Sequence, residues 1–119
     1  MPYIKSDDDR REKLRAGEPA LTAGELNYQI FYNVKHMINI YDNDSIKRLI
    51  RGCVINFLGD KPNYQKYNDM TGALIRCAKE IRRRLPLESE ICLLEIMNSY
   101  DDEIAKYEDL KINENGDVE

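Results

Sequence analysis

The sequence predicts an all-α fold: a compact bundle of three to four long antiparallel helices, with a short N-terminal helix and an extended C-terminal tail. Apolar residues recur at steps of three and four along each long segment, and short turns rich in Asp, Asn, Gly and Pro separate the segments. With 119 residues, 42% hydrophobic and 34% charged, the chain is large enough for one soluble domain. We expect a single helical domain over 1–119, made of an arm and short helix (1–20), a bundle (21–107) and an acidic tail (108–119).

A short helix is predicted over residues 8–16, before the bundle. Ser6 or Asp7 is a suitable N-cap, and acidic residues precede basic ones along the segment, as the helix dipole favours. Gly17 is the expected stop, and Pro19 breaks the chain before the next helix.

Residues 21–41 form the predicted central helix, which Thr22 and Glu25 begin with the spacing of a capping box. One face carries an apolar stripe: Leu26, Ile30, Val34, Met37, Ile38 and Tyr41. The opposite face groups Tyr28, Tyr32, Lys35 and Asn39. We expect the first face to lie in the core and the second to meet a ligand or another subunit. Asn27 lies near the edge of the stripe, so we expect a buried amide bonded to the N-terminal segment or the tail backbone.

Two further long helices follow. Residues 45–58 carry an unbroken apolar stripe, Gly59 ends the helix, and the short connection before it predicts an antiparallel neighbour. Asn63 is the expected N-cap of a third helix that runs to about residue 85. Gly72 lies in the middle of this helix, which predicts close approach of a neighbouring helix or, alternatively, space for a ligand beside it.

A fourth helix is predicted from residue 88 or 89 to Tyr107, after the break at Pro86. Its C-terminal half is acidic, which is unfavourable for the dipole of the helix itself. We expect these acids to pair with the arginine-rich row on the third helix, either within one chain or between two copies.

The sequence contains none of the common catalytic or metal-binding motifs, so we expect no enzyme, no catalytic residue, no metal and no cofactor. The one histidine, His36, lies off the core stripe and is expected to be solvated. The three cysteines match no disulfide framework or CxxC pattern and are expected to be structural. No apolar run is long enough for a membrane span and no signal-peptide features are present, which predicts a cytoplasmic protein.

Two polar rows are the candidate binding residues. Tyr28 and Tyr32 lie one helical turn apart, which is typical of a subunit interface or of a platform on which a flat ligand stacks. Arg76, Lys79 and Arg83 line one face of the third helix and are suited to phosphates, unless they pair with the acidic C-terminal segment. With Lys35, these residues form the predicted ligand- or partner-binding set. Residues 101–119 carry eight acids and two bases, so nucleic acid is an unlikely partner.

Short motifs at both ends and in two long helices carry a resemblance: MPYIK at 1–5, GELNY at 24–28, ND, GAL and CAK within 68–79, YED at 107–109 and ENGDV at 114–118. Together they resemble a family of short proteins from bacteriophages, prophages and bacteria, a domain of unknown function that begins MPYI and ends in an ENGDV-like tail. The resemblance implies no activity. Residues 85–102 look like an insertion relative to that family.

The polar rows and the resemblance together lead to one functional hypothesis and one alternative. We expect a non-enzymatic, phage-encoded homo-oligomer that sequesters a small anionic nucleotide-type ligand in the host cytoplasm, as in evasion of host defence. In this hypothesis Tyr28 and Tyr32 stack on the base, while Lys35, Arg76 and Arg83 meet the phosphates. The alternative is a protein–protein interaction module that docks a host or phage protein through its tyrosine face.

Overall fold

The computed structural model describes residue 4 and residues 9–85 and 87–116. It contains six helices in these ranges: α1 (Asp9–Arg15), α2 (Ala23–Met37), α3 (Asn43–Leu58), α4 (Tyr64–Arg84), α5 (Leu87–Asn98) and α6 (Asp101–Asn115). No described residue lies in a strand, which confirms the all-α class. The expected N-caps of α1, Ser6 and Asp7, lie outside the described residues.

Side-chain caps begin α2, α3 and α4. The Thr22 hydroxyl accepts a hydrogen bond from the Glu25 backbone N–H (3.2 Å), as the capping box predicts. The Glu25 carboxylate, however, accepts from Leu21 N (2.9 Å) rather than from Thr22. Asp42 and Asn63 cap α3 and α4 through the backbone N–H three residues further on. Local sequence therefore determines where these helices begin.

The central helix α2 is buried on almost every side. Its residues 26–31 are buried without a gap, because α1, α3 and α4 all contact it. The helix ends at Met37, four residues before the predicted end. Cys77 Sγ lies 4.0 Å from the Asn27 carbonyl oxygen, and the Arg84 guanidinium lies 4.9 Å from the Phe31 ring centroid. The second contact lies further along both helices than the first, so α2 and α4 run parallel.

The predicted fourth helix is in fact two helices, with a break at Ser99 and Tyr100. The Ser99 hydroxyl donates to the Ile96 carbonyl (2.6 Å), which satisfies a backbone acceptor at the end of α5. Tyr100 and Tyr107 then pack against Tyr67 of α4, with ring centroids 6.2 and 5.4 Å away. The break turns α6 towards α4. The apolar spacing could not indicate it, because that spacing continues across the break.

The C-terminal segment differs from the extended tail predicted from residue 108, because α6 continues to Asn115. The segment 85–102, read as an insertion, is part of the core: α5 contacts α3 and α4, and Leu93 and Ile96 are fully buried. The three cysteines are free thiols and all are buried. Among the described residues, no helix is both long and apolar enough to cross a membrane.

Candidate functional site

The tyrosine face of α2 is covered by the chain's own first helix, which corrects the expectation that it is open. Tyr28 is only 5% exposed and Tyr32 is half-buried. Arg15 Nε donates to the Tyr28 hydroxyl (2.7 Å), and the Arg11 guanidinium lies 5.2 Å from the Tyr28 ring centroid. Since arginines occupy the ring faces, Tyr28 cannot serve as an open stacking platform for a base.

A buried glutamine of α2 fixes α1 in this position. Gln29 Nε2 donates to the carbonyl oxygens of Leu14 (2.9 Å) and Glu18 (2.8 Å), at the end of α1 and in the turn after it. The Leu14 side chain is fully buried beside it. Sequence reasoning missed this contact. The only signal for it in the sequence was the Gln29 amide itself, which lies on a helix whose other faces were assigned to the core and to a ligand or another subunit.

One groove lies between α1 and α2, at the C-terminal end of α4. We call it the basic aromatic groove; its volume is about 290 Å³. Its lining residues are Arg11, Arg15, Tyr28, Phe31, Tyr32, Lys35, His36 and Arg84. Arg15 lies over Tyr32 (5.0 Å to the ring centroid), and the exposed His36 ring lies 4.4 Å from the same tyrosine. Three predicted site residues, Tyr28, Tyr32 and Lys35, therefore come together here.

The other three predicted site residues line a larger groove between α2 and α4, with a volume of about 680 Å³. We call it the α2/α4 groove; its lining residues are Ala23, Gly24, Asn27, Gly72, Ala73, Arg76, Lys79, Glu80 and Arg83. A Cβ atom built on Gly72 would meet no atom within 4 Å. This open space contradicts the close helix approach expected at Gly72 and agrees with the alternative, room beside the helix.

The three arginines at the C-terminal end of α4, Arg82, Arg83 and Arg84, pair with acids of α4 and α5. Glu80, which is buried, accepts hydrogen bonds from Arg83 (2.8 Å) and Arg84 (3.2 Å). Burial opposes ionisation of Glu80, but these two hydrogen bonds outweigh it, so its pKa lies below the usual value. Arg82 pairs with Glu90 of α5 (3.0 Å). The ion pairs of these arginines in the described ranges involve Glu80 and Glu90 and no acid of α6, so the expected pairing with the C-terminal acids is wrong within one chain. Pairing between two copies stays a prediction.

Asn27 is buried as predicted, with an exposed fraction of 5%, and it lines the α2/α4 groove. Its Oδ1 is sealed from solvent and has no hydrogen-bond partner among the described residues. Of the segments expected to bond it, residues 1–3, 5–8 and 117–119 lie outside the described residues. A buried amide oxygen without a partner is costly, by about 1–3 kcal/mol, unless a ligand or water supplies a donor.

The comparisons give a family. The model of the family described as Domain of unknown function (DUF6899) matches residues 1–118. The chain belongs to this family. Neither the curated proteins nor the solved structures that were compared with the chain gave a match. The DUF6899 match spans the bundle and both grooves, so the grooves belong to one family domain.

The predicted binding residues on α2 and those on α4 therefore lie in neighbouring grooves of this protein and do not line one groove. Glu80 lies where the grooves meet, since Arg83 lines the α2/α4 groove and Arg84 lines the basic aromatic groove. In the described ranges, no three His, Cys, Asp or Glu side chains converge as a metal ion would require. The arrangement offers cations, an amide and aromatic edges, which are groups suited to binding anions.

Proposed function

We propose that this protein is a non-enzymatic binding protein that holds a small anionic ligand of nucleotide type in the α2/α4 groove. The observation that carries the proposal is the buried Asn27 amide, whose oxygen has no partner among the described residues and which lines the same groove as Arg76 and Lys79. Both of these cations are exposed, and neither has an ion-pair partner in the part of the chain that the structure describes.

The chemistry of the groove favours a ligand with two different ends. The Asn27 oxygen is sealed from solvent, so a ligand reaches it only when the side chain rotates. The rotated amide offers one acceptor and a donor group to a complementary edge such as that of a nucleobase. Arg76 and Lys79 then receive an anionic group, and an arginine can bind phosphate through two parallel hydrogen bonds. The volume of about 680 Å³ lies within the range of small-molecule sites.

The wider biological role remains part of the same proposal. The resemblance to bacteriophage proteins supports a phage-encoded protein that sequesters a nucleotide signal of the host, as a homo-oligomer in the host cytoplasm. The alternative, docking of a host or phage protein through the tyrosine face, has less support because α1 covers Tyr28. Light scattering tests the oligomer, and mass spectrometry of small molecules that co-purify with the protein tests what is carried.

Isothermal titration with a panel of cyclic and linear nucleotides tests the ligand class. We expect saturable binding of at least one nucleotide, and Arg76→Gln should weaken it about tenfold or more, because a charge-assisted hydrogen bond contributes about 1.5–3 kcal/mol. Asn27→Leu should also weaken binding, since it removes the amide while leaving an apolar side chain of similar size.

The matched control is Arg51→Gln, which neutralises an exposed arginine on α3 outside both grooves. It should leave nucleotide affinity unchanged. Absence of heat across the whole panel at about 50 μM protein, where micromolar dissociation constants are measurable, would contradict the proposal.

A further inference from the structure

We propose a second ligand site in this protein: the basic aromatic groove binds a condensed phosphate, such as pyrophosphate or the phosphate chain of a small molecule. The first observation is charge. Four of the eight lining residues are cationic and none of the eight is acidic. Glu80 pairs with Arg84 from outside this lining and offsets one of the four charges. Like charges gathered in one concave site repel each other and attract a polyvalent anion.

The second observation is that Arg11 and Arg15 are held in place through their Nε atoms, which leaves their terminal nitrogens for an oxyanion. Arg15 donates its Nε to Tyr28 and stacks over Tyr32. Arg11 donates its Nε to the carbonyl oxygen of Ile4 (2.9 Å) while it lies over Tyr28. In the described ranges, neither guanidinium has a carboxylate partner. Their terminal nitrogens are therefore oriented in advance, which lowers the entropic cost of binding an oxyanion.

Charge and size select the kind of anion. Three cations of this lining have no acidic partner in the described ranges, and they match two linked phosphoryl groups, which carry roughly three negative charges at neutral pH. A volume of about 290 Å³ lies at the small end of ligand sites, so it suits a phosphate chain better than a whole nucleotide. Free pyrophosphate and a phosphate chain attached to a nucleoside share this chemistry, and titration distinguishes the two sources.

The site is independent of the α2/α4 groove, because the two grooves have no lining residue in common. Failure of nucleotide binding at Asn27 and Arg76 therefore leaves this second proposal standing, and the reverse is also true.

Isothermal titration of the full chain with pyrophosphate, orthophosphate, sulfate and ADP tests the site. We expect pyrophosphate to bind at least about tenfold more tightly than orthophosphate or sulfate, because more charge-assisted hydrogen bonds form. Lys35→Gln should weaken pyrophosphate binding about fivefold or more, and raised salt should weaken it further. Arg15→Gln should have a larger effect; its thermal unfolding is measured alongside, because Arg15 also packs on the core.

Arg51→Gln is the matched control, since it neutralises an exposed arginine of α3 that lies outside both grooves, and it should leave pyrophosphate affinity unchanged. Tighter binding of ADP than of pyrophosphate, with the same loss in Lys35→Gln, would identify a nucleoside-linked chain as the source. Equal affinity for orthophosphate and pyrophosphate, or wild-type affinity in Lys35→Gln, would overturn the assignment.

Discussion

Replacement of Gly72 by alanine should make this protein more stable. Gly72 lies in the middle of α4, and a Cβ atom added there meets no atom within 4 Å. The substitution therefore introduces no clash. It removes the conformational freedom of glycine from the unfolded chain, and it replaces a poor helix former with the best one.

The expected gain in the free energy of unfolding is about 1 kcal/mol, the difference in helix propensity between glycine and alanine. Unfolding entropy near 2.1 cal/mol/K per residue, summed over this chain, converts that gain into a rise in Tm of about 4 °C. If another helix approached Gly72 closely, the substitution would lower the free energy of unfolding instead, because overpacking costs roughly 1–3 kcal/mol.

Urea and thermal unfolding followed by circular dichroism measure the change, with two reference variants. Gly52→Ala, in mid-helix on α3 and with open space around its Cβ position, should stabilise by a similar amount. Gly59→Ala should destabilise, because Gly59 has φ +73° at the end of α3 and alanine rarely adopts that conformation. Stabilisation by Gly52→Ala together with destabilisation by Gly72→Ala would refute the open groove.

Three further predictions follow from single contacts. Glu80→Gln should reduce the loss of stability on acidification. The folded pKa of Glu80 is below the unfolded value of 4.5, so the contribution of its carboxylate is complete above pH 4.5 and is lost as pH falls through the folded pKa. Urea unfolding between about pH 6 and 3 measures this loss. Burial raises the pKa of the Cys77 thiol to about 12, so Cys77 should resist labelling by a thiol reagent at pH 8 until the chain unfolds, as peptide mass spectrometry would report. Tyr107→Phe should cost about 1 kcal/mol in urea unfolding, because the hydroxyl donates to the Pro62 carbonyl (2.9 Å); an unchanged midpoint would show that α6 is not held by this bond.

Much of the fold was predictable because the signals are local. A cap depends on residues three positions apart, as for Thr22 and Asn63, and a stripe depends on positions within one helix. The break at Ser99 was missed because apolar steps of three and four continue across it while the backbone does not. The extension of α6 to Asn115 was missed because an acidic segment with a turn-like Asn–Gly pair is also typical of a tail.

The candidate site was predicted less well, for a physical reason. A helical wheel shows which residues share a face of α2, and it grouped Tyr28, Tyr32 and Lys35 correctly in one groove. It cannot show which other element covers that face. Gln29 and the arginines of α1 decide this. The arginines lie 13 to 17 positions before the tyrosines that they contact, and Gln29 lies 11 to 15 positions after the residues to which it donates, so no local pattern encodes these contacts.

The sequence by itself determined the all-α class, the starts of the main helices and the residue types from which an anion site can be built, because these depend on short-range periodicity and capping. Only the tertiary structure decided that α1 closes over Tyr28, that Gly72 opens a groove and that the cations divide between two grooves. Those outcomes depend on how whole helices pack against each other, and packing is a property of several distant segments at once.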